Sequence, residues 1–104
     1  MSPDDFAITK EKILNGFKFV INGRIDAINA DQLQIILNEV MKEKPNSIIF
    51  NMLHVVYLSS AGLKVILKTY KDTKEAGGTL GIEMPSENVL NILKMTALDG
   101  LLVI

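Results

Sequence analysis

Phe17, Phe19 and Ile21 alternate with Lys18, Val20 and Asn22, a period of two that predicts a half-buried β-strand. Phe6 and Ile8 repeat the pattern more weakly upstream. Asn15-Gly16 between the two runs favours the paired positive φ angles of a type I′ turn, so the chain is expected to open on an antiparallel hairpin. From Asn29 the period lengthens: Leu33, Ile36, Leu37, Val40 and Met41 fall on one helical face, with Asn29 as the expected N-cap, Asp31 in the first turn, and Lys42 and Lys44 before the stop at Pro45. Ser47 to Leu53 is then nearly continuous in apolar side chains, which predicts a central strand with helices over both faces.

A second helix is expected from Ser60 to Ala76, because Leu63, Ile66, Leu67 and Tyr70 return to helical spacing and Gly77-Gly78 supplies its stop. Thr79 to Glu83 reads as a short strand, Pro85-Ser86 opens a third helix carrying Val89, Leu90 and Leu93, and Leu101 to Ile104 reads as a last strand. Strand and helix alternating after a hairpin predict a mixed sheet, parallel where crossovers join consecutive strands.

Composition narrows the function more than the fold. The 104 residues fit one domain with one core, and 48% apolar against 22% charged residues excludes disorder of the whole chain. A formal net charge of -1 offers no electrostatic reason for a nucleic-acid track or an anionic membrane surface. Without cysteine there is no disulfide framework and no thiolate chemistry. The acidic start Met1-Ser2-Pro3-Asp4-Asp5 and the lack of a long apolar run make a cytoplasmic protein the expectation. His54, the single histidine, has no partners at a recognisable metal or triad spacing, and neither a Gly-x-Ser-x-Gly elbow nor a phosphate-cradling glycine loop is present. A serine nucleophile would have to find its base in His54, Lys64 or a distant carboxylate, so an enzyme is the weaker class and no cofactor or metal is expected.

The candidate site is Tyr57-Leu58-Ser59-Ser60-Ala61-Gly62-Leu63, where the buried strand turns into the second helix. In open α/β sheets functional groups gather at this carboxyl edge. Either serine suits an N-cap, accepting a hydrogen bond from an orphan amide. A phosphoryl group on Ser60 would instead place roughly -1.5 to -2 charges at the positive end of a helix. The fold would tolerate that charge, whereas a partner packed there would meet a clash and a desolvation cost. Lys64, Lys68 and Lys71 share a face of the same helix, either as an ordinary solvated face or as a rim that speeds association with an acidic partner.

These residues resemble the signature of STAS domains, above all the stand-alone bacterial anti-sigma factor antagonists. The resemblance rests on Ile48-Ile49-Phe50-Asn51 through Tyr57-Leu58-Ser59-Ser60-Ala61-Gly62-Leu63-Lys64-Val65-Ile66-Leu67, on Gly23-Arg24-Ile25-Asp26-Ala27 before the first helix, on Gly77-Gly78, and on Met95-Thr96-Ala97-Leu98-Asp99-Gly100-Leu101 before the end. It covers nearly the whole chain and implies a single α/β domain over residues 1–104: a mixed sheet of about four to five strands with an initial hairpin, packed with about three to four helices. It further implies an unmodified form that binds an anti-sigma factor serine kinase and so releases a sigma factor. Phosphorylation would break that binding, and a PP2C-type phosphatase would restore it.

Aligned on Gly62-Leu63, the family's phosphoacceptor falls on Ser60 and its frequent preceding aspartate falls on Ser59, a departure that makes Ser59 a second, lesser candidate. The resemblance also implies partner contacts at Asp26, Ser59, Ser60, Ala61, Gly62 and Lys64, while Asp26 has the alternative role of satisfying turn amides. A STAS scaffold or sensor subunit without sigma-factor control is the second functional expectation.

Overall fold

A computed structural model describes residue 2 and residues 4–103 of the chain. In chain order the elements are β1 (Ala7–Ile13), β2 (Gly16–Ile25), α1 (Ala27–Met41), β3 (Ser47–Leu58), α2 (Ser60–Glu75), β4 (Thr79–Glu83) and α3 (Glu87–Met95), followed by a 3₁₀ turn at Asp99–Leu101. The sheet order is β1-β2-β3-β4, antiparallel between β1 and β2 and parallel thereafter, so the mixed α/β sheet is as expected.

The hairpin forms where predicted, but its turn differs. Ile13 pairs with Gly16, so the central residues are Leu14 and Asn15, and of Asn15 and Gly16 only Asn15 takes a positive φ, 66°. Gly16 is needed for space: a Cβ there would lie 1.8 Å from the Ser47 carbonyl oxygen where β3 begins beside it. A glycine chosen for close backbone approach looks, in sequence, like one chosen for turn geometry.

The central strand also departs from expectation. Ile48, Phe50 and Met52 are buried while Ile49 and Asn51 are half-buried, so β3 alternates and has one closed face. Both parallel crossovers advance along the sheet in the same direction, which places α1 and α2 on the same face. Phe17, Phe19, Ile21, Leu80 and Ile82 join the buried β3 residues there, with the Phe19 and Phe50 rings tilted 5.9 Å apart. On the other face Lys18 of β2 reaches across β3 to Glu83 of β4, and the hydrogen bond to that carboxylate raises the Lys18 ammonium pKa above its ordinary value. An apolar run is therefore a weaker sign of two-sided burial than it looks, because Ile49 needs only partial cover.

The second helix buries a different face from the one its large side chains suggest. Gly62, Val65, Ile66, Thr69 and Thr73 are inside, while Leu63, Leu67 and Tyr70 flank them. Two buried threonines are tolerable because each hydroxyl donates to the carbonyl one turn back, Thr69 to Val65 at 2.9 Å and Thr73 to Thr69 at 2.7 Å. Thr73 also touches α1, its hydroxyl lying 3.6 Å from Met41 Sδ. Gly77, at φ 85°, ends the helix as predicted.

β3 outruns its partner β4, and α3 takes over: the Ser86 amide donates to the Met52 carbonyl at 3.0 Å and its hydroxyl to that of Val55 at 2.7 Å. Val89 and Leu93 then enter the common core as expected. The last strand shrinks to a single parallel bridge between Ile82 and Leu102, with Ile104 outside the described residues.

Candidate functional site

At the carboxyl edge of the sheet Ile25 pairs with Leu58, and each strand passes directly into a helix through one capping residue, Asp26 for α1 and Ser59 for α2. The Ser59 amide donates to the Ile25 carbonyl at 3.0 Å, tying the two starts together. Asp26 Oδ1 accepts from the Asn29 amide at 2.8 Å, so α1 begins earlier than its apolar period suggests and Asn29 is not its cap. The Asn29 side chain instead donates to the Arg24 carbonyl at 2.7 Å, bracing the same turn from outside. This is the turn-satisfying role anticipated for Asp26, and it leaves a carboxylate at the opening of α1.

Ser59 and Ser60 divide the tasks that sequence left open between them. Ser59 Oγ accepts from the Gly62 amide at 3.1 Å, which makes it the N-cap of α2. Ser60 is the first helical residue, exposed, and among the described residues its hydroxyl makes no hydrogen bond. No acidic side chain stands in the first turn of α2. The positive end of this helix therefore lies beside an exposed hydroxyl, with no carboxylate in the helix's own first turn.

Glycine sets the height of that turn above the sheet. A Cβ at Gly62 would stand 2.7 Å from Ile25 Cγ2 and 2.8 Å from Leu58 Cδ1, so no larger residue lets the first turn of α2 sit this low on the strand ends. Ala61 is half-buried against the core, and Lys64, one turn on, is exposed. Nearby surface includes Ile28 on α1, 72% exposed, and Tyr57, 41% exposed with the Arg24 guanidinium 4.4 Å above its ring. Tyr57 opens the stretch singled out in sequence, whereas Ile28 escaped it because an exposed apolar residue carries no periodic signal. Farther along α2, Lys68 pairs with Asp72 at 2.8 Å, and all three lysines of the row, Lys64, Lys68 and Lys71, are exposed.

The rest of the predicted chemistry lies elsewhere. His54 is on the exposed side of β3, and among the described residues no group of three or more histidine, cysteine, aspartate or glutamate side chains could hold a metal ion. No described helix is long and apolar enough to cross a membrane.

Comparison with known proteins places this edge in a familiar architecture. The chain is similar to an anti-sigma factor antagonist from Mycobacterium paratuberculosis, with 23% identity and a TM-score of 0.84 over 97% of this chain and 86% of that one. It is also similar to the anti-sigma factor antagonist SpoIIAA in its unphosphorylated form, at 18% identity and a TM-score of 0.81 over 93% of this chain and 86% of that one. The Bacillus cell fate determinant SpoIIAA in its phosphorylated form follows at 17% identity and a TM-score of 0.76, covering 93% and 89%. At these identities the likeness is one of fold. The family itself is shown by sequence, since the profile of the STAS domain matches residues 7–104, and with the hairpin, the parallel crossovers and the capped edge all in place, the chain belongs to the STAS domain family.

Proposed function

We propose that this chain is an anti-sigma factor antagonist, a cytoplasmic single-domain protein that acts by binding rather than by catalysis and whose binding is gated by phosphorylation of Ser60. In the unmodified form the surface around Asp26, Ser59, Ser60, Ala61, Gly62 and Lys64 docks an anti-sigma factor that is also a serine kinase, freeing a sigma factor. The kinase transfers the γ-phosphoryl group of ATP to Ser60: a bond forms from Oγ to phosphorus, the bond to the leaving ADP oxygen breaks, and the hydroxyl proton departs. A PP2C-type phosphatase reverses the modification by hydrolysis.

The observation that carries this reading is the division of labour between the serines. Ser59 is occupied as a cap, whereas Ser60 is exposed, without a hydroxyl hydrogen bond among the described residues, and at the start of a helix free of acidic residues in its first turn. Phosphate there adds about -1.5 to -2 charges beside orphan N–H groups, which stabilises the modified domain while changing its surface. The similar fold of a protein solved in both unphosphorylated and phosphorylated forms supports the same conclusion.

The test is phosphopeptide mapping of the protein from its own cells, in growth and under stress, with Ser59 resolved from Ser60. Phosphate on Ser60 that varies with condition is the expected result. Expression of the protein with no phosphate at Ser60 under any condition would overturn the gate, and phosphate confined to Ser59 would move it to the capping residue.

A further inference from the structure

β1 is the outer strand of the sheet on the hairpin side, with a free edge from Ala7 to Ile13. Ile13 and Gly16 close the two-residue turn as a bonded pair, so Glu11, Thr9 and Ala7 in turn exchange backbone hydrogen bonds with β2. The N–H and C=O groups of Ile8, Lys10 and Lys12 therefore point away from the sheet. Among the described residues no backbone hydrogen bond outside the ladder reaches them. The amino-terminal segment leaves this edge open: Asp4 continues along β2, its carbonyl accepting from the Arg24 amide at 3.0 Å. An open edge is a template for another strand unless the protein blunts it.

The surface beside the edge is open as well. α1 packs on β2 and α2, and the strip between it and β1 is a groove of about 450 Å³ floored by Ile8, Phe19, Ile36 and Val40. Ile35 stands on its helical wall, 65% exposed. The two walls carry opposite charges. β1 turns the exposed Lys10 and Lys12 to this face, with the Lys10 ammonium 5.3 Å from the centre of the Phe17 ring, whereas α1 sets Asp31 and Glu39 one turn on either side of Ile35. Lys10, Lys12 and Asp31 form no ion pair among the described residues.

A second copy of the chain suits both features. Two copies that join edges in one continuous sheet run antiparallel about a two-fold axis normal to it, which keeps the same face up in both and sets odd positions against odd and even against even. The registers that match most of β1 against itself are centred on Thr9, Lys10 or Glu11. Centring on Lys10 sets Lys10 against Lys10, and centring on Glu11 sets Glu11 against Glu11 and Lys10 against Lys12; like charges directly opposite are destabilising. Centring on Thr9 has no such conflict: Thr9 meets Thr9, Ile8 meets Lys10 and Ala7 meets Glu11. The outward backbone groups of Ile8 and Lys10 then bond those of the other copy. This register also carries the lysine wall of each copy toward the Asp31 and Glu39 wall of the other. Lysine on an edge strand ordinarily discourages pairing; here it rejects two registers and meets an acidic helix face in the third.

We propose that the β1 edge is a homodimer interface, two copies pairing antiparallel about a two-fold axis at Thr9 so that Ile35 of each is drawn over the joined strands. An interface of one strand and one helix stripe per copy stands at the low end of specific interfaces, below about 1,200 Å² in total, so the dimer dissociates on dilution. β1 takes no part in the capped edge that holds Ser60, and the dimer does not depend on the phosphorylation reading.

The test uses the full chain, which has no cysteine of its own. Sedimentation velocity from micromolar to millimolar concentration is expected to show monomer passing to dimer. Thr9→Cys and Glu11→Cys, both at exposed positions on the same face of the strand, are then oxidised as single variants. The register centred on Thr9 brings the paired Cα atoms to about 4.5 Å, within disulfide reach, whereas two residues at position 11 stand about 13 Å out of step along the strands. Thr9→Cys should cross-link at least tenfold faster. Lys10→Pro removes an outward N–H without touching the ladder to β2, so it should abolish the dimer and leave the monomer folded. Asp31→Lys should weaken the dimer about tenfold at low salt. A chain that stays monomeric at millimolar concentration, a dimer indifferent to Lys10→Pro, or equal cross-linking at positions 9 and 11 would each overturn the proposal, and the first would leave this edge to a different polypeptide. If the proline variant unfolds, the cysteine pair still decides.

Discussion

The starts of α1 and α2 lie side by side on one sheet edge, yet they are finished differently. Asp26 caps α1 with a carboxylate, so that helix opens with a permanent negative charge bonded to its own Asn29 amide. Ser59 caps α2 with a neutral hydroxyl, and the next residue, Ser60, offers a second hydroxyl that makes no hydrogen bond among the described residues. Both ends satisfy an orphan amide, but only the second leaves charge to be added later. On the proposed reading the difference separates a structural N-terminus from one that can serve as a switch, and it makes the neutral capping residue as informative as the proposed phosphoacceptor beside it.

The strongest way to break the comparison is to lift α2 off the edge. Gly62→Ala forces a methyl to within 3 Å of Ile25 and Leu58 side chains. Overpacking of this kind costs about 1–3 kcal/mol, against a gain of at most about 1 kcal/mol from replacing a helical glycine. A net loss of stability in urea unfolding is expected. Unchanged stability would mean that the strand ends yield easily and that the height of Ser60 is not fixed by this glycine.

Replacing the caps sharpens the contrast. Asp26→Ala removes a capping bond and a charge at the helix start and is expected to cost about 1–2 kcal/mol, while Ser59→Ala removes the bond alone and should cost about 1 kcal/mol. Salt discriminates between them: raising ionic strength should shrink the Asp26 loss and leave the Ser59 loss nearly unchanged. Equal costs with equal salt responses, read from urea midpoints at low and high ionic strength, would show that the two starts are electrostatically alike.

Much of the fold is legible in the sequence, for identifiable reasons. Ser86, Gly77 and the strand–helix alternation carry local signals that tertiary packing did not overrule. Asp26 is singled out in sequence through resemblance, but its capping role is obscured because Ala27 and Ile28 precede the apolar period of α1, and Ile28 is exposed. The buried face of α2 is misplaced in sequence for the opposite reason: Thr69 and Thr73 look polar, yet each hydroxyl donates to a carbonyl of its own helix and so can be buried. The bulges in β3 left no mark at all, since a run of apolar residues reads the same whether the strand is regular or kinked.

The smallest effect tests the central point. If the Ser60 hydroxyl has no structural task, Ser60→Ala should leave stability within about 0.5 kcal/mol, as for surface substitutions away from special features. Ser60→Asp should then be neutral or stabilising by about 0.3–1 kcal/mol at low salt, because the carboxylate meets the positive end of α2, and the gain should fade as salt is added. The same pair reads function with opposite signs: the alanine variant keeps the docking surface and resists modification, while the aspartate variant folds as well or better and yet docks its partner more weakly. Its single charge is only part of a phosphate's, so the loss of docking should be smaller than that caused by phosphorylation itself. A Ser60→Asp chain destabilised by more than about 1 kcal/mol would place this residue among those whose replacement damages the fold. Charge at this helix start would then act by unfolding the surface, and the distinction between the two capped edges would lose its meaning.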